Sequence, residues 1–203
     1  MNLRRTLVQQ FKQPQGLLGS LAGWVMTHRP SNRERNRLGV LGLELFEGAT
    51  VLELGFGPGL AVEMALNGGA GKVAGLDHSS LMVKQAQRRN HKAQAQGRLD
   101  LRLGEVGRLP DFGCKFDRIY SANVVMFWPD PVQVFRDLKA LLQPEGRILT
   151  ALMPRNPKAT DLDTAAWGER IVAWYQQAGF VRVQVQTLPL QPVATVYVTA
   201  WNY

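Results

Sequence analysis

Cysteine is almost missing from the chain: Cys114 is the single thiol among 203 residues. No internal disulfide can form, which excludes a stapled secreted scaffold and fits a reducing, cytoplasmic setting. Histidine is scarce too, with three in the chain, far apart from one another and from Cys114. That leaves no metal-ligand spacing, so no metal site is expected. Acidic residues number 16 against 24 Lys and Arg, a formal net charge of +8. Such a balance admits an anionic partner, RNA included, without requiring one. Long apolar runs are missing as well. The stretch 17–26 falls short of the roughly 20 residues that span a bilayer. Gln13, Pro14 and Gln15 separate it from the basic Arg4, Arg5 and Lys12, and no small-x-small cleavage site ends it before Thr27. Neither a transmembrane segment nor a cleaved leader is expected. No repeat and no low-complexity tract breaks the chain.

What is present suffices for one α/β domain, since hydrophobic residues make up 45% and charged residues 20%. The organising stretch is Val-Leu-Glu-Leu-Gly-Phe-Gly-Pro-Gly over 51–59. An apolar run meets Glu53, breaks into three glycines at alternate positions, and leads into the helical spacing of Leu60, Met64 and Leu66. This predicts strand, tight loop and helix N-terminus. Glycine there allows positive φ and lets a ligand approach the backbone, toward which the helix directs its unpaired N–H groups. Glycine loops also bind dinucleotides. Glu53 separates the two readings, because its carboxylate repels a pyrophosphate and favours a cation or an ammonium group. A second strand, 72–77, ends in Asp77, 18 residues beyond Gly59. At that place in a nucleotide-binding unit a carboxylate meets the ribose hydroxyls. Its alternative is a helix cap.

The remaining pattern alternates. Pro30 opens a helix with Ser31 and Glu34 at capping-box spacing; Leu38, Leu41 and Leu45 supply its apolar face, and Gly48 can end it. Arg29, Arg33, Arg35 and Arg37 cluster there as a solvated face or an anion patch. A helix runs from Ser79 to Gln96, and 98–103 alternates like an edge strand. The fourth strand occupies 116–123, with Tyr120 assigned to the core; a helix covers 131–142, and a fifth strand 147–152. Asp163 caps a helix bearing Trp167, Ile171 and Trp174. The alternating runs 180–186 and 193–201 are separated by a short turn and pair as an antiparallel hairpin.

An acidic residue followed by Gly-x-Gly-x-Gly is motif I of the class I S-adenosylmethionine (SAM)-dependent methyltransferases, and 53–59 resembles it throughout. The resemblance covers 49–203 and is similar to the group serving ubiquinone and menaquinone biosynthesis. It implies a Rossmann-like, seven-stranded sheet, mostly parallel with an antiparallel C-terminal hairpin. It makes 49–203 the SAM-binding domain and 1–48 an N-terminal helical arm or lid. It assigns Glu53, Gly55, Gly57, Gly59, Asp77, His78, Met82 and Asn123 to the cofactor. Glu105 falls near the adenine amino group and Val106 on the ring. Met126 and Trp128 wall the acceptor side, and His28 in the arm is the candidate general base. The segment 1–30 is either a helix packed on the core or a cover over the pocket, its glycines Gly16, Gly19 and Gly23 making it weak alone. The Asp/Asn-Pro-Pro-Tyr/Phe motif of enzymes acting on exocyclic or amide nitrogens is absent. The implied activity is methyl transfer from SAM to a small molecule. The alternatives are an RNA-directed methyltransferase or a non-catalytic protein on this fold. A nicotinamide-dependent oxidoreductase is disfavoured by Glu53 and the hairpin.

Overall fold

The computed structural model describes residues 30–203. Helix α1 (Pro30–Gly42) leads to β1 (Ala49–Leu54), α2 (Leu60–Asn67), β2 (Ala70–Asp77), α3 (Ser80–Arg89), α4 (His91–Ala95) and β3 (Leu99–Leu103). Then come β4 (Phe116–Ala122), a 3-10 turn (Val125–Phe127), α5 (Pro131–Leu141), β5 (Leu142–Leu152), α6 (Asp161–Gln177), β6 (Arg182–Leu188) and β7 (Thr195–Trp201). The seven strands lie in the order β3-β2-β1-β4-β5-β7-β6. All pairs are parallel except β5–β7 and β6–β7. The expected sheet and its hairpin finish are therefore present.

Both faces of this sheet are covered, which is why the central strands read as near-continuous apolar runs. On one face, Leu52, Leu54, Ile119 and Ile148 pack with Phe135, Leu138 and Tyr175 from α5 and α6. On the other, Val51, Tyr120, Leu149 and Ala151 meet Val40, Ala61, Val62 and Ala86 from α1 to α3. The order reverses between β1 and β4, so the crevice outside their carboxyl ends is where an open α/β sheet accepts a ligand.

Several boundaries differ from the sequence reading. Pro30 is already helical, so Ser31 lies inside α1 and is no cap, while Glu34 pairs with Arg37 at 2.7 Å. The capping box occurs instead at Thr160 and Asp163, which brackets the start of α6. Likewise α1 stops at Gly42 rather than Gly48. Arg147 donates to the Gly42 carbonyl at 3.0 Å and Arg118 to that of Leu43 at 2.6 Å, satisfying the helix end from the sheet. The predicted long helix divides at Asn90, and β5 starts at Leu142, five residues early.

The apolar face assigned to α1 is also corrected. Leu41 is 59% exposed, and the buried side is Asn32, Arg35, Asn36, Gly39 and Val40. Gly39 explains the choice, since a Cβ there would collide with the Tyr120 ring. The Tyr120 hydroxyl donates to Asn36 Oδ1 at 3.1 Å, and Tyr197 donates to the Arg35 carbonyl at 3.1 Å. A small residue and matched polar partners seat α1 against the sheet, while Leu38 and Leu45 are half-buried against the same cluster and only Leu41 of the three leucines faces outward. Arg35 leaves the proposed solvated cluster and enters the interior.

Candidate functional site

The three glycines of the loop after β1 all have positive φ, and each is required for a different reason. At Gly55 a Cβ would strike Val124, which follows β4. At Gly59 it would lie 2.7 Å from Ala86 Cβ, so α3 can pack against the start of α2 only if the residue is glycine. At Gly57 nothing among the described residues lies within 4 Å, leaving an open face above the backbone. The loop is held from outside. Arg89 donates to the Pro58 carbonyl at 3.0 Å and Asn90 to that of Gly59 at 3.2 Å. Neither residue was singled out from the sequence, because their targets are backbone atoms some 30 positions away.

Asp77 is buried at the end of β2. One carboxylate oxygen accepts the Gly57 N–H at 2.8 Å and the other accepts the Ser79 N–H at 2.9 Å. It is not the cap of α3; Ser79 is, its hydroxyl accepting from Met82 N. Burial raises the Asp77 pKa against the opposing effect of those two N–H groups. Each oxygen keeps a lone pair for a further donor, so the carboxylate can brace the loop and still meet a diol. His78 is exposed, its Nδ1 3.7 Å from Asp77.

Glu53 is also buried, and burial, reinforced by the nearby Asp77, holds its pKa well above the usual carboxylate range. It accepts the Val62 N–H. Helix α2 has Gly59 as its N-cap, without a side chain to offer, so the preceding strand supplies the capping carboxylate. Tyr120 on β4 lies in the electrostatic field of both Glu53 and Arg35. Burial keeps its phenol protonated well beyond the usual range, which removes it as a base.

Arg35 is 2% exposed. Its Nη2 donates to Asn32 Oδ1, its Nη1 faces Met153 Sδ at 3.9 Å, and its Nε finds no partner. Among the described residues no carboxylate pairs with it, and burial lowers its pKa. Arg155 reaches the same Asn32 oxygen at 3.3 Å. A buried guanidinium lacking a counter-ion is costly unless an anion arrives. The signal that could have found it is its place on the Asn32–Asn36–Gly39 stripe, which a search for leucines passes over.

Asn123 has φ +56, and its side chain bonds Met153 twice: Nδ2 donates to the carbonyl at 2.9 Å and Oδ1 accepts the N–H at 2.9 Å. It clamps the ends of β4 and β5 instead of presenting its amide to a ligand. Met82 is buried on the inner side of α3. Glu105 is exposed and Val106 half-buried in the loop after β3. Trp128 does not stand at the surface of a pocket. It is 7% exposed and packs edge-on to Phe135, so the chain turns this ring into the core while Met126 and the exposed Phe127 stay beside Val124. His28 and the 1–29 part of the arm lie outside the described residues. A cavity of about 470 Å³ between α1 and the β5–β7–β6 face shares no residue with the loop.

These parts fit SAM. The open face over Gly57, the spare lone pairs of Asp77, the Glu53 carboxylate and the unmatched Arg35 suit an adenosine diol and an amino acid carrying both charges.

Known proteins place the chain in the same company. The family model described as a methyltransferase domain matches residues 51–146. The uncharacterized methyltransferase YdaC of Bacillus subtilis is 27% identical over 181 residues, covering 89% of this chain and 97% of that protein. Among solved structures, a chain from the complex of the Haloferax volcanii Trm112 methyltransferase activator with a methyltransferase superposes with TM-score 0.70 at 17% identity, covering 89% and 92% of the two chains. The N-methyltransferase NodS of Bradyrhizobium japonicum, bound to S-adenosyl-L-homocysteine, superposes with TM-score 0.67 at 16% identity, covering 88% and 91%. The chain spans about half the length of other curated relatives, among them an arsenite methyltransferase (42%) and a tRNA U34 carboxymethyltransferase (53%).

Proposed function

The chain belongs to the class I SAM-dependent methyltransferases, and from that premise we propose that it methylates a small-molecule acceptor, holding SAM between Glu53, Asp77 and Arg35. The observation that carries the cofactor assignment is the presence around Tyr120 of a buried acid, Glu53, and a buried cation, Arg35, that has no counter-ion among the described residues. Glu53 meets the ammonium of the methionine part and Arg35 its carboxylate. Asp77 accepts the ribose hydroxyls, and Val106 borders the ring. Bound SAM supplies an electrophilic methyl group on a sulfonium.

The chain's own task is placement. Val124, which stands against Gly55, and the following Met126 and Phe127 wall the acceptor side and keep water from the transfer. An apolar wall of this kind suits a compact acceptor. Where the acceptor arrives protonated, His28 is the base we assign, from the sequence.

Two measurements test the reading. Labelled SAM, screened against small acceptors, should yield a methylated product; a thermal shift with NAD but none with SAM or S-adenosylhomocysteine overturns the class of ligand. Arg35→Met should weaken binding of both SAM and its product by roughly tenfold or more, the range for a charged hydrogen bond. Binding of 5′-methylthioadenosine, which lacks the amino acid, should not change. Equal loss for all three ligands would remove Arg35 from the carboxylate.

A further inference from the structure

The side of α3 and α4 turned away from the core carries cations and no acid. Between Asp77 and Asp100 the chain holds Lys84, Arg88, Arg89, Lys92 and Arg98 and not one Asp or Glu. Two of these are engaged: Arg89 with Glu63 at 3.0 Å, and Arg98 with the carbonyls of Ala70 and Gly71. The other three stand four residues apart. Met82, Ala86, Asn90 and Ala93 form the buried side. Lys84, Arg88 and Lys92 lie on the opposite side, exposed, together with His91. The helical path continues through Asn90, whose N–H donates to Ala86 and whose carbonyl accepts from Gln94. The stripe therefore advances in steps of about 6 Å. Among the described residues none of the three joins an ion pair.

A row of uncompensated cations selects a polyanion over a single small anion. Steps of about one helical turn let successive cations meet successive phosphates of one strand. Gln85, Gln87 and Gln94 flank the row, and their amides can serve ribose hydroxyls. A membrane surface would also call for bulky apolar side chains beside the cations. None of the large exposed apolar residues lies on α3 or α4.

We propose that the outer face of α3 and α4 is a docking surface for single-stranded RNA, engaged through its phosphates by Lys84, Arg88 and Lys92. The helix starts beside Asp77, on the ribose side of the cofactor site, whereas Val124, Met126 and Phe127 wall the acceptor side. RNA held there tethers the enzyme and leaves the acceptor pocket open, so this inference is independent of the small-molecule assignment.

The test is a titration of a labelled single-stranded RNA oligonucleotide across a salt series, with the full chain and its Lys84→Gln/Arg88→Gln/Lys92→Gln variant. The variant should bind about tenfold more weakly at low salt, and the slope of log affinity against log salt should fall by about 2, from about 0.7 per phosphate contact. The thermal shift with S-adenosylhomocysteine should be equal in both, which reports an intact fold and cofactor site. Equal RNA affinity and slope in both proteins, no RNA binding by the parent, or binding to phosphatidylserine vesicles in its place would each overturn the proposal.

Discussion

Glu53 carries the sharpest consequence at the scale of one residue. Its pKa is raised above the ordinary 4.5 by burial and by Asp77. The folded state therefore binds a proton more tightly than the unfolded chain. The stability this contributes is fully present below 4.5 and is lost as pH climbs through the raised value. Glu53→Gln keeps an acceptor for the Val62 N–H and removes the titration. The variant should melt several degrees higher at neutral pH, at about 2–4 °C per kcal/mol for a chain of this size. The advantage should shrink toward pH 4.5, and SAM affinity should drop with it. A melting difference that stays constant between pH 4.5 and 8 would show that Glu53 is not the titrating group. A glutamate that caps a helix, lies beside a second acid and awaits a cation is poorly satisfied without ligand, which suits a site meant to be filled.

At the scale of the element, the joint between β4 and β5 is the most exposed to test. Asn123 adopts φ +56, a region that asparagine and glycine tolerate, and bonds both backbone groups of Met153. Asn123→Gly keeps the backbone conformation and deletes only the clamp. It should cost about 1–3 kcal/mol, two hydrogen bonds' worth, seen as a lower midpoint in urea. Asn123→Ala should cost more by the added strain. If the glycine variant is as stable as the parent, the clamp is ornamental and Met153 is positioned by β7. The loop bearing Met126 and Phe127 follows this joint, so the same variant should lower turnover more than SAM affinity. The corrected face of α1 belongs to this scale as well. A leucine stripe points to burial in an isolated helix, but the sheet offered Tyr120 and Tyr197 as partners, and Asn36, Gly39 and the Arg35 carbonyl answered them.

For the whole molecule, the open question is how the acceptor side is closed. The wall proposed for Val124, Met126 and Phe127 is exposed at Phe127, and α1, which holds Arg35, follows directly on the segment 1–29. That segment is proposed to complete the pocket and to bring His28 to it. Its removal, leaving α1 intact, should abolish methyl transfer while a SAM-dependent thermal shift survives in reduced form. Full activity after the deletion would place the whole acceptor pocket, and any base, within residues 30–203.

The parts of this protein legible in its sequence are those set by local covalent rules. Three alternate glycines between an apolar run and a helix announce the loop, because glycine takes positive φ values without the strain a side chain adds. Asp77 is legible from its position at the end of a strand, and the hairpin from two alternating runs a short turn apart. The two-sided burial of the strands shows in their unbroken apolar stretches. Other features depended on partners distant in the chain. Gly55 answers Val124, Gly59 answers Ala86, and Asn123 turns to Met153, and no local pattern encodes such pairings. Trp128 reads as a wall of the acceptor side until Phe135 is brought alongside. Arg35 reads as one of four surface arginines until the sheet draws α1 in by its polar side. Packing decides which face of an element is buried, and around one buried tyrosine it left, among the described residues, a cation without a counter-ion and an acid without a cation.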